Sequence, residues 1–116
     1  RALAGPPPGS DAELLGRFVD RRCPDAFAAL VHRHGPTVLG VCRRTLGDGP
    51  DADDAFQAVW LVLLRKAATV RPRGRVGPWL YGVALRTAAH VRGRRRRHGG
   101  LPDMPDPRPV RDAELA

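Results

Sequence analysis

The chain predicts an all-α fold, a small bundle of about four helices, on three observations. Apolar residues recur at three- and four-residue spacing in four separate stretches, and no stretch alternates apolar with polar as a strand would. Helix caps or breakers bracket each stretch. The third observation is size: 116 residues with 42% hydrophobic content support one modest core and not two.

Residues 1–10 carry the run Pro6-Pro7-Pro8 and no apolar period, so they are expected as a disordered lead-in with structure starting near Ser10. Ser10-Asp11-Ala12-Glu13 has capping-box spacing, in which the serine oxygen and the glutamate carboxylate satisfy exposed amides at a helix start. A first helix over 11–20 follows. Pro24 suits the first position of a second helix, along which Phe27, Leu30, Val31 and His34 recur at helical spacing. Gly35-Pro36 interrupts that pattern and Val38, Leu39, Val41, Cys42 and Leu46 resume it, so 24–46 is one kinked helix or two in tandem, ended by Gly47.

Asp51, Asp53 and Asp54 complement the N-terminus of a third helix over 51–68, and Arg65 and Lys66 its C-terminus. The segment TVRPRGRVG, 69–77, is a loop punctuated by proline and glycine. A fourth helix is expected from Pro78 to Arg97, stopped at Gly99-Gly100. The helical domain thus spans 11–98, and 99–116 reads as a flexible linker.

Twenty basic residues against 12 acidic ones give a formal charge of +8, which points to a polyanionic partner, with nucleic acid the first candidate. All but one of the bases are arginine, whose planar fork suits phosphates and base edges; a genome biased towards arginine codons explains the same count. The longest apolar run, Val59 to Leu64, is far short of the roughly 20 residues that cross a bilayer, so no membrane partner is expected. Cys23 and Cys42 have neither CxxC spacing nor histidines placed to complete a metal set, and read as reduced cysteines of a cytoplasmic protein. No nucleophile is paired with a base and no phosphate loop is present, so neither catalysis nor a metal or other cofactor is expected. The chain begins at Arg1 and not at methionine, as a fragment would.

On the third helix, Asp54, Gln57, Leu61 and Arg65 fall on one stripe among otherwise apolar residues. The stripe is either a solvated edge or a partner's face. On the fourth, Leu80, Ala84, Thr87, Ala88 and Val91 form a core band while Trp79, Arg86, His90, Gly93 and Arg97 line another face. That basic, aromatic face, extended by Arg71, Arg73 and Arg75 in the loop, suits phosphate pairing and stacking on unpaired bases. A tryptophan near a helix start such as Trp79 is more often a core anchor than a stacking platform, and runs like Arg94-Arg95-Arg96-Arg97 also serve as solvated helix ends, localisation tags or RNA contacts.

Taken in order, the segments DAELLGRFVDRRCPDAFAALVHRHGPTVLGVCRRTLGD, DADDAFQAVWLVLLRKA and GPWLYGVALRTAAHVRGRRRR, over 11–97, resemble region two of extracytoplasmic-function (ECF) sigma factors. The most specific parts are Asp51 to Gln57 with Trp60, and Trp79-Leu80-Tyr81-Gly82-Val83-Ala84. The resemblance implies a non-enzymatic transcription-initiation domain whose third helix docks on the clamp helices of the beta-prime subunit of core RNA polymerase, through Asp53, Asp54, Gln57, Leu61 and Arg65. It further implies that the loop and fourth helix hold the non-template strand of promoter DNA at the minus-ten element, through Arg71, Arg73, Arg75, Trp79, Arg86, His90, Arg94 and Arg97. An anti-sigma factor is a further implied partner. Many relatives carry asparagines where this chain has Arg86 and His90, and a glutamate where it has Ala58, which leaves base preference open. Full-length members add a helix-turn-helix domain that reads the minus-thirty-five element, and nothing after residue 98 supplies one. A degenerate module that binds polymerase or an anti-sigma factor without reading DNA, or a generic arginine-rich RNA binder, are the competing readings.

Overall fold

The computed structural model describes residues 9–99, and the expectations for residues 1–8 and 100–116 lie outside them. Four α-helices, α1 (Asp11–Arg21), α2 (Pro24–Leu46), α3 (Pro50–Lys66) and α4 (Val76–Gly99), form a bundle with two short 3₁₀ turns, Ala67–Thr69 and Arg73–Arg75, between α3 and α4. The all-helical expectation is borne out. α2, α3 and α4 pack against one another, and α1 lies against α2 and the second 3₁₀ turn.

Ser10 closes the capping box at the start of α1: its hydroxyl accepts from the Glu13 amide at 3.1 Å, and the Glu13 carboxylate accepts from the Ser10 amide at 2.8 Å. Such a cap contributes about 1 kcal/mol. α1 is closed by Arg22, whose backbone is left-handed with φ 52 and whose amide donates to the Phe18 carbonyl at 2.9 Å, while the Cys23 amide donates to the Arg17 carbonyl at 3.4 Å. The Arg22 guanidinium sits 4.3 Å from the centre of the Phe18 ring, which in turn packs on Phe27 at 4.9 Å.

The Gly35-Pro36 break does not divide α2, which runs unbroken from Pro24 to Leu46. Proline removes one helical hydrogen bond, but Leu30, Val38, Val41 and Cys42 are buried on both sides of it, and packing holds what propensity disfavours. Buried Gly35 faces the Phe56 ring of α3: a Cβ there would lie 3.9 Å from it. Two boundaries also move. α3 ends at Lys66 and the chain tightens into a 3₁₀ turn, while α4 starts at Val76 and not at Pro78. Val76 is fully buried, and a proline two residues into a helix still falls where no intrahelical donor is required.

The core draws on every helix, with Leu14 and Leu15 from α1, Leu30, Val38 and Val41 from α2, Val59 and Leu63 from α3, and Leu80 and Val83 from α4. Both cysteines are free thiols. Cys42 is fully buried and loss of solvation pushes its thiol pKa upward, whereas Cys23 is half-buried at the cap of α2. The thiolate is the species that alkylates, so a raised pKa and an inaccessible sulfur act in the same direction at Cys42. Iodoacetamide followed by mass spectrometry is expected to give a single adduct, at Cys23, in the folded protein, and a second at Cys42 only in denaturant. Equal labelling of the two would contradict this core.

Candidate polymerase and nucleic-acid faces

α3 buries Ala52, Ala55, Val59, Trp60 and Leu63 against α2 and α4. That leaves one outward face carrying Asp53, Asp54, Gln57, Leu61, Leu64 and Arg65, all exposed. The expected stripe is therefore at the surface, and wider than expected. Leu64 belongs to it, at 40% exposure, although the sequence pattern places it with the apolar remainder. Leu61, at 56%, is the most exposed large apolar side chain among the described residues. Two leucines flanked by acids, an amide and an arginine make a patch with an apolar centre and a polar rim, the usual anatomy of a protein contact. Asp51, one turn back, is turned away from this patch: it accepts from Arg95 Nη1 at 3.1 Å, and the same guanidinium reaches the Leu46 carbonyl at 3.4 Å. One arginine of the terminal run thus ties α4 to the α2–α3 corner.

α4 buries Leu80, Val83, Ala84, Thr87, Ala88 and Val91. Arg86 is exposed on the opposite side, and His90 and Trp79 are half-buried, with Trp79 packed against the core. Trp79 therefore serves as a core anchor on at least one side. The open aromatic of α4 is Tyr81, 43% exposed, one turn before Leu85 at 45%. Sequence reasoning assigned neither to a site. The signal available was their four-residue spacing on an arc outside the core band. Arg94 is exposed, while the side chain of Arg97 lies outside the described residues.

The loop separates its three arginines. Arg71 and Arg75 are exposed. Arg73 instead turns back along the surface to α1 and makes a two-pronged ion pair with Asp20, at 3.2 and 3.3 Å. Among the described residues no cluster of three His, Cys, Asp or Glu side chains is placed to hold a metal ion, and no helix is long and apolar enough to cross a membrane. The geometry amounts to a mixed apolar and charged patch on α3, and a basic, partly aromatic face on the loop and α4.

The profile of the Sigma-70 region 2 family matches residues 30–98, which covers α3, the loop and nearly all of α4. The chain belongs to that family. Among relatives of the sigma-70 region 2 domain described here, RNA polymerase sigma factor CarQ of Myxococcus xanthus is 38% identical over 64 residues, covering 55% of this chain and 37% of CarQ. ECF RNA polymerase sigma factor SigK of Mycobacterium sp. (strain KMS) is 35% identical over 80 residues, 68% of this chain and 42% of SigK. The chain therefore spans less than half the length of the relatives it matches. No solved structure matches it. The ECF region-two resemblance read from the motifs is borne out by these matches.

Proposed function

We propose that this domain acts in bacterial transcription initiation by docking on core RNA polymerase through the outward face of α3 and capturing the non-template strand of the minus-ten element with the 69–77 loop and α4. The observation that carries this reading is the presence of two separate exposed faces of different chemistry on one small core, the α3 patch with Leu61 at its centre and the basic face with Arg71, Arg75 and Arg86. A protein partner favours the first, and a polyanion with unpaired bases favours the second.

No covalent chemistry is needed. Opening a duplex loses base stacking, and the domain offsets that loss with phosphate pairing by arginines and stacking on exposed aromatic surface, on the order of 1 to 3 kcal/mol per stacked base. Trp79 is half-buried and packed on the core, so stacking would use its open edge, whereas exposed Tyr81 lies on a different arc of α4 from Arg86 and His90. Docking on the clamp helices of the beta-prime subunit would bring the two faces to bear on one promoter, and an anti-sigma factor covering either face would switch the domain off. Site of action in the cytoplasm follows from this role.

The test is selection of fork-junction DNA, randomised across the minus-ten segment, by core polymerase loaded with the 116-residue chain, followed by anisotropy of the selected and scrambled single strands across a salt series. The expected result is a sequence preference that strengthens when polymerase is present. Equal, steeply salt-dependent binding to both strands would reduce the domain to a basic nucleic-acid binder. Firm docking with no strand binding would leave an interaction module. Arg86→Ala is expected to weaken the selected strand by about 1 to 3 kcal/mol, and to flatten its preference at a single position. An unchanged preference would remove Arg86 from base reading.

A further inference from the structure

Arg73 sits in the centre of the loop proposed to take the DNA strand, yet its charge is paired within the chain, at the surface where the loop meets α1. Its guanidinium forks onto both carboxylate oxygens of Asp20, with Nη2 donating to Oδ1 at 3.2 Å and Nη1 to Oδ2 at 3.3 Å. The fork lies over Gly16, where an added Cβ would come within 3.0 Å of Nη1. One turn earlier, Ala12 packs under Gly74, 3.9 Å from where a Cβ would stand. Ala12, Gly16 and Asp20 are spaced by four along α1, so two small residues and one acid make a continuous track on a single helical face. The loop lies along that track.

The far end of the loop is held as well. Asp11, at the start of α1, accepts from Arg33 Nη1 and His34 Nε2, each at 3.0 Å, and the His34 ring closes on the backbone of Gly77, where a Cβ would meet Cε1 at 3.1 Å. Val70 and Val76 are buried below. With the loop fixed from beneath at 70, 73, 74, 76 and 77, Arg71 and Arg75 are the arginines left pointing outward.

We propose that Asp20 is a positioning residue for strand capture: through Arg73 it latches the loop onto α1 and presents Arg71 and Arg75 to the DNA backbone. This rests on the strand-capture reading above, but it assigns Arg73 to the scaffold and not to the strand, and gives α1 a part in DNA binding without a contact of its own.

The latch makes a prediction opposite in sign to every general effect. Asp20→Ala removes a negative charge beside a polyanion site, replaces a poor helix former with the best one, and takes an acid away from the C-terminal turn of α1; each of these favours binding or folding. The latch alone predicts a loss. In the full 116-residue chain, Asp20→Ala is expected to speed hydrogen exchange of the loop amides roughly two- to fivefold, the scale of an exposed ion pair, without affecting the amides of α3. Affinity for short fluorescein-labelled single strands is expected to fall by a similar factor while affinity for core polymerase is unchanged, and Asp20→Glu is expected to restore both readouts. Unchanged loop exchange, or strand affinity that holds or rises, overturns the proposal. If the unaltered chain binds no strand, the strand-capture reading fails by itself, and the exchange comparison still decides whether Asp20 holds the loop.

Discussion

Asp54→Arg is expected to lower the affinity of the domain for core RNA polymerase by about 2 kcal/mol or more, roughly thirtyfold, in a pull-down or surface-binding titration. The magnitude follows from place and charge together. Asp54 is exposed on the outward face of α3, two turns ahead of Leu61, on the rim of the apolar centre formed by Leu61 and Leu64. Reversing a rim charge next to a desolvated anchor introduces an unpaired cation into the contact in addition to deleting whatever Asp54 meets. Inside the domain the change costs little. The loss of one exposed acid near a helix start costs about 0.3 to 1 kcal/mol. Asp25→Arg is the matched control, because Asp25 is also exposed in the first turn of a helix, α2, away from the α3 patch. An equal loss in both variants would trace the effect to net charge, and retained binding by Asp54→Arg would remove the α3 face from polymerase docking.

What the sequence makes legible is whatever depends on neighbours within one helical turn. The capping box at Ser10 and Glu13 is written in four consecutive residues, and it forms as spaced. The α3 stripe is legible because Asp54, Gln57 and Arg65 are polar among apolar residues, so their shared arc can be only an edge or a contact. Leu64, Tyr81 and Leu85 escape the same reasoning, since an apolar residue is assigned inward by type even where, as for Tyr81 and Leu85, its arc lies outside the core band. At Gly35-Pro36 local propensity leaves one kinked helix or two in tandem open, and burial on both flanks decides for one. Long-range pairs are invisible to periodicity. Arg73 and Asp20 are 53 residues apart and Arg95 and Asp51 are 44 apart, so arginines that look like free positive charge in a loop or a basic run are committed to holding helices together.

The contrast between surface and core leucines on α3 leads to the second large effect. Leu61 and Leu63 are two residues apart on one helix, yet Leu63 is fully buried and Leu61 is 56% exposed. Leu63→Ala removes three carbons, a methine and its two methyls, from the centre of the bundle, where α3 meets α2 and α4, and is expected to destabilise the domain by about 2 to 5 kcal/mol in urea unfolding. For a small domain that is a large share of a total of about 5 to 15 kcal/mol, so partial unfolding at ambient temperature is part of the expectation. Leu61→Ala in the same assay is expected to stay within about 0.5 kcal/mol of the parent, because its side chain is already largely in water. The pair also separates the two functions of the helix. Leu61→Ala is expected to weaken polymerase docking in a fully folded domain, whereas Leu63→Ala is expected to reduce docking and strand capture together, in proportion to the fraction unfolded. A stable Leu63→Ala domain would mean that α3 is held by something other than this core, and a destabilised Leu61→Ala domain would mean that the outward face is covered within the chain itself.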